Sequence, residues 1–203
     1  MRETIRYWLL AIGYSLLAIG SSSLHGCGST GDITKSQHAR VEQNVGPIRV
    51  TIEYNRPVAR GRKLFGGIVP YGKEWNPGAD QASTIRFSGD VDLNGRPVSK
   101  GNYSIWAIPG PERWTFILSN AAQVFHEPYP AGRDALRLSI EPVTGPHMET
   151  LGFYFPMVDG DSARLHLHWG ETVVPIRLRA RGVRPAEADS RLPDPSAAAE
   201  RGQ

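Results

Sequence analysis

The chain has a single cysteine, Cys27, in 203 residues, so no internal disulfide can form. It has no dense Lys/Arg run interleaved with aromatics. Its formal charge is only +3, and Arg2 and Arg6 against Glu3 supply +1 of that, leaving +2 for the rest. The sequence pI of 9.2 therefore reflects a slight excess of arginine, and nucleic acid is not an expected partner. There is no G-x-S-x-G elbow, and Ser104 falls inside a strand pattern, so serine-hydrolase chemistry has no support. The apolar run from Tyr7 to about Gly20 falls short of the roughly 20 residues a membrane-spanning helix needs. Beyond it, helix signals are weak and no repeat of domain scale appears.

What stands at the N-terminus is ordered. Arg2 and Arg6 precede the apolar run, and small residues follow it, as in a secretory signal. Leu24-His25-Gly26-Cys27 resembles a bacterial lipoprotein box, with His25 where a small residue is usual. On that resemblance residues 1–26 are a signal peptide and Cys27 becomes the lipidated first residue. Several acyl chains on one residue give stable anchoring. Gly28 instead of Asp after the cysteine points to an outer-membrane lipoprotein facing the periplasm. A permanent helical anchor and an unmodified cysteine are the competing readings.

Residues 27–45 are polar with little apolar periodicity and are expected to be a flexible tether. Residues 46–181 are expected to form the domain, large enough to hold a core without disulfides. Residues 182–203 mix charge and proline with hardly any large apolar side chain, and are expected to be disordered.

Within the domain the dominant period is two. Ile48, Val50, Ile52 and Tyr54 alternate with Arg49, Thr51 and Glu53. Similar patterns recur at 84–87, 91–93, 103–108, 114–118, 136–140, 151–155, 165–169 and 172–178. Asn94-Gly95 is a hairpin signal, and Pro109-Gly110-Pro111 separates two strands. About eight to ten short strands at this spacing predict an all-β, antiparallel sandwich, with jelly-roll-like or barrel-like closure as the alternative. The segment 119–134 has room for one helical turn before Pro128.

Two long stretches are recognisable. I-E-Y-N-R-P-V-A-R-G-R-K-L-F-G-G-I-V-P-Y-G-K-E-W-N-P-G-A-D-Q-A-S-T-I (52–85) and G-N-Y-S-I-W-A-I-P-G-P-E-R-W-T-F-I-L-S (101–119) resemble the bacterial domain-of-unknown-function family 2911. The closing L-H-L-H-W-G-E-T-V-V-P-I is similar to that family's last strands, and the resemblance runs from about Val45 to Leu178. It implies a small exported β domain, often lipid-anchored, with no established activity or cofactor. Where the family often has W-R-x-G-A, this chain has Asn76 after Trp75, so an anion-holding arginine is not carried over.

The glycine-rich loop at 63–80 is the first chemical candidate. Gly67 to Lys73 has P-loop spacing, but Glu74 replaces the magnesium-holding hydroxyl, Pro70 interrupts the loop, and no βαβ unit surrounds it. Its glycines and prolines are expected to shape the chain. The competing reading makes it a binding edge: Tyr71 and Trp75 as a stacking platform, Asn76 and Asp80 as polar contacts, Arg56 and Arg62 as anion-recognising cations, and Trp106 nearby if the strands pair. Arg60 and Lys63 belong to the same basic cluster. His166 and His168, at i and i+2, share a strand face and are candidates for a metal if a third ligand such as His126, His147, Asp161 or Glu171 joins them. Asp159 and Asp161 read as an acidic turn between strands.

The expected function is thus a lipid-anchored cell-envelope binding or assembly module without a cofactor. It meets the membrane through its lipid and a glycan or partner protein through its surface. The alternative is an envelope hydrolase of glycan or peptide, metal-dependent through His166 and His168.

Overall fold

Period-two alternation becomes strand wherever one face can be buried. The computed structural model describes residues 36–182, and ten strands run through them. In order they are β1 Gln37–Val45, β2 Ile48–Arg56, β3 Thr84–Phe87, β4 Val91–Leu93, β5 Arg96–Val98, β6 Gly101–Ile108, β7 Trp114–Ser119, β8 Asp134–Ile140, β9 Val143–Asp159 and β10 Ser162–Ala180. All named pairings are antiparallel. They make a six-stranded sheet in the order β1-β2-β3-β6-β7-β8 and a four-stranded sheet in the order β5-β4-β10-β9. Neither sheet closes on itself, so the fold is a sandwich and not a barrel.

The core lies between the sheets. Val50, Ile52 and Tyr54 of β2, Ile85 and Phe87 of β3, and Phe116 and Leu118 of β7 face Leu151 and Phe153 of β9 and Leu165, Leu167 and Trp169 of β10. The same alternation that buries these residues turns Arg49, Thr51, Glu53 and Arg86 to the outer face. β6 is buried on both faces. Its outward Trp106 is covered by the segment 120–133, where Trp106, Ala82 and Ile117 form a second small core with Val124 and Tyr129 packed on it. The Trp106 indole donates to Ser104 Oγ at 2.9 Å and meets Tyr129 edge-on at 5.2 Å.

Three sequence expectations change. Residues 37–45, assigned to the tether, form β1, because every second residue from Ala39 to Val45 faces inward and the strand pairs β2 along its whole length. The segment 119–134 carries no helical turn; β7 runs to Ser119 and the covering segment is irregular. The patterns at 165–169 and 172–178 are one 19-residue strand whose pairing with β9 slips around Gly170. The Asn94-Gly95 turn forms as expected, with φ of 47° and 79°, the left-handed pair a two-residue hairpin requires. Cys27, the leader 1–26, residues 27–35 and residues 183–203 lie outside the described residues.

Candidate functional site

The loop at 63–80 turns most of its signature inward. Trp75 stacks on Trp169 with centroids 6.1 Å apart and planes 11° from parallel. It also meets Phe65 edge-on at 5.7 Å and Trp114 at 6.2 Å. Its backbone pairs with Ala107, N–H to O and O to N–H, both at 2.8 Å. The loop thereby takes the place beside β6 that β3 has vacated. Asn76 is 3% exposed. Its Nδ2 donates to the Ile105 carbonyl at 2.7 Å, and its Oδ1 accepts the Ser83 N–H at 3.1 Å. Both partners are main-chain groups in the gap between the β3 pairing and the Trp75 bridge, and both must be satisfied in a dry interior. Asparagine carries one donor and one acceptor group on a short stem, which is what this gap demands. Asn76 is therefore buried and Trp75 packs partly buried against the core, which turns both away from the binding-edge reading, and Trp106, 1% exposed, is core.

The remaining members of that set are scattered. Tyr71 is 42% exposed, its ring lying against Gly66, whose φ of 70° and lack of a Cβ leave the room. Asp80 is exposed with φ of 62°. Its main-chain oxygen accepts the His126 N–H at 3.0 Å, and its carboxylate lies 3.4 Å from Asn55 Nδ2. Arg62 donates to the Ala59 and Val58 carbonyls at 2.9 and 2.6 Å, and Arg56 donates to the Leu151 carbonyl at 3.0 Å. The guanidiniums of Arg56 and Arg62 hold the 57–62 turn to itself and to β9, so the six residues do not form one surface.

His166 and His168 do share a face, and Tyr154 of β9 stands between them. His168 Nε2 lies 3.0 Å from the Pro146 carbonyl and 3.1 Å from the Gly170 carbonyl. Two acceptors there place the proton on Nε2. In the neutral ring Nδ1 then accepts from the Tyr154 hydroxyl at 3.0 Å. That hydroxyl oxygen is in turn 3.4 Å from His166 Nδ1, which donates to it. His166 Nε2 is left buried with no partner. Burial pushes the His166 pKa down, and the charges of Arg164 and His168 add to it. Both nitrogens of His168 are engaged by protein groups. No cluster of three His, Cys, Asp or Glu side chains stands close enough to hold a metal among the described residues. The pair is joined through Tyr154 in a hydrogen-bonded chain.

A site that the sequence reading did not single out lies on the outer face of the six-stranded sheet. Two adjoining hollows, of about 500 and about 560 Å³, share Arg40, Thr51 and Arg86 and together form one trough. β1 and β2 contribute His38, Arg40, Thr51, Glu53 and Asn55; β3 and β6 contribute Thr84, Arg86 and Asn102; and Ala122, Gln123 and Val124 form a wall. The wall is held by the Ala82 N–H on the Val124 carbonyl at 3.0 Å and by the bridge between Gln81 and Phe125. From Arg49 to Asn55 the trough follows β2 for six residue steps, about 20 Å at a strand's rise. Strand register sets its rows: Thr51 lies opposite Arg86, and Arg86 lies opposite Asn102. Arg40 binds Glu53 at 2.9 Å and Glu42 at 2.7 Å, and Arg49 reaches Glu42 at 3.3 Å. The available signal in sequence was the polar half of each alternating strand, but alternation alone does not say which polar faces become neighbours or which loop walls them.

Residues 36–178 match the family model described as a protein of unknown function (DUF2911). No curated protein and no solved structure matches this chain.

Proposed function

The chain belongs to the DUF2911 family, and we propose that it is a binding module of the cell envelope, anchored by lipid at Cys27, whose ligand lies in the trough on the outer sheet face. The trough carries the reading. Its lining includes side-chain amides, hydroxyls and guanidiniums on a rigid sheet, groups that hold and orient a ligand. Its one lining carboxylate, Glu53, is ion-paired to Arg40 at 2.9 Å, so no free pair of carboxylates faces across it for acid–base hydrolysis. The leader order and the lipobox-like Leu24-His25-Gly26-Cys27 support export and an outer-membrane position facing the periplasm. An envelope glycan or a partner protein is the expected ligand class.

The experiment is crosslinking and capture from envelope fractions with the full chain and with Asn102→Trp. Asn102 is exposed at the trough floor beside Arg86, so an indole there fills the space without entering the core. The wild type should retain envelope material that Asn102→Trp does not, with melting temperatures within about 2 °C of each other. Equal capture by the two proteins would place the binding surface elsewhere.

A further inference from the structure

Resting on that binding reading, we propose that the trough takes a linear acidic carbohydrate, with one of its carboxylate or phosphate groups seated on Arg86. Around the middle of the trough stand three guanidiniums, Arg40, Arg49 and Arg86, against two carboxylates, Glu42 and Glu53. The carboxylates are taken up by Arg40 and Arg49. The Arg86 side chain has no hydrogen bond or ion pair among the described residues, although it lines both hollows. One positive charge is therefore left uncompensated where the two halves of the trough join. A guanidinium offers a planar fork that fits a carboxylate or phosphate through two parallel hydrogen bonds. Thr51 on one side and Asn102 on the other, its direct neighbours across the sheet, put a hydroxyl and an amide within the same row.

The shape selects carbohydrate over peptide. β2, β3 and β6 are interior strands of their sheet, and of the trough's strands only β1, which brings His38, Arg40 and Asn44, lies at an edge, so a ligand lying on the trough floor meets side chains and not a free backbone edge. Apolar lining is limited to Tyr54, Ala82, Ala122 and Val124 at one end and Pro47 at the other, too little to seat a series of peptide side chains. Among the rest, the amides of Asn44, Asn55, Gln81, Asn102 and Gln123 and the hydroxyls of Thr51, Thr84 and Ser88 are matched partners for a chain of sugar hydroxyls. A length of about 20 Å suits several consecutive sugar units rather than one.

The test is calorimetric titration of the full chain, purified in detergent, with hexagalacturonate, with its methyl ester, and with a phosphomannan oligosaccharide. The two acidic oligomers separate a carboxylate source from a phosphate source; the ester keeps the sugar backbone and removes the charge. At least one acidic oligomer should bind, more weakly as salt rises, and the ester at least about tenfold more weakly. Arg86→Gln should weaken the acidic oligomer by about tenfold to a hundredfold, whereas Arg49→Gln, which removes a cation already paired with Glu42, should have a much smaller effect. An ester that binds as tightly as the acid, or an Arg86→Gln protein that binds like wild type, overturns the proposal. If Asn102→Trp still abolishes that binding, the trough remains a binding site and only its acidic preference is lost. Failure of all three oligomers to bind also overturns the proposal, and the envelope capture comparison then decides the broader reading by itself.

Discussion

Replacing Trp75 by alanine separates a core signature from a binding edge. Truncating a buried tryptophan to alanine costs about 3–5 kcal/mol, from lost transfer energy and the cavity left behind. Trp75 keeps part of its surface exposed, which places it at the lower end, about 3 kcal/mol. Its stack on Trp169 and its edge contacts with Phe65 and Trp114 are all lost together, and such aromatic pairs carry about 0.5–1.5 kcal/mol each beyond area burial. The backbone bridge to Ala107 survives the substitution, so the change reports the side chain. In a domain of this size 1 kcal/mol moves the melting temperature by about 2–4 °C, so the expected drop is about 6–12 °C. Thermal unfolding followed by far-UV circular dichroism measures it. Tyr71→Ala, at an exposed position in the same loop, is the control and should stay within about 2 °C of wild type. Trp75→Phe, which retains an aromatic ring, should fall between the two. If Trp75→Ala melts within about 2 °C of wild type, the aromatic cluster is not holding the loop and the placement of Trp75 in the core is wrong.

Asn76→Ala should cost about 2–6 kcal/mol in urea unfolding, because it strands the buried Ile105 carbonyl and Ser83 N–H, at about 1–3 kcal/mol each; a loss below about 0.5 kcal/mol would mean that neither bond matters. His166 has a folded pKa below its unfolded value of about 6.5, so the unfolded state binds more protons as the medium is acidified; stability is therefore full above that value and falls as pH drops through it. Urea midpoints at pH 8, 7, 6 and 5 should show wild type losing ground relative to His166→Gln, and a flat difference would refute the assignment. Cys27→Ser should release the protein from membrane fractions into the soluble periplasmic extract; persistent sedimentation with membranes would mean that the leader is a permanent helix.

The strand architecture was readable because its causes are local. Ile48, Val50, Ile52 and Tyr54 alternate with polar residues wherever the chain is read. Asn94-Gly95 needs only its own two left-handed residues to turn, and Pro109 to Pro111 breaks any strand that reaches it. β1 escaped notice because its inward positions are Ala39, Val41, Gln43 and Val45, too weak an apolar set to signal a strand before its partner β2 is known. Strand propensity of that kind depends on cross-strand neighbours.

The candidate site was far less legible. An irregular loop has no period, so nothing in F-G-G-I-V-P-Y-G-K-E-W-N-P-G-A-D says which side chains face the interior. Trp75 and Asn76 went inward because β6 runs past the end of β3 and its Ala107 and Ile105 groups needed partners there. The trough is a product of register and sheet order. Thr51, Arg86 and Asn102 come from three strands, the first two 35 positions apart in the chain, and only their pairing lines them into one row beneath the 122–124 wall. Local chemistry thus sets which residues alternate, turn and break, since those forces act over a few residues. Long-range pairing sets which polar faces meet and which cation is left unpaired, since those facts exist only once distant strands share a sheet.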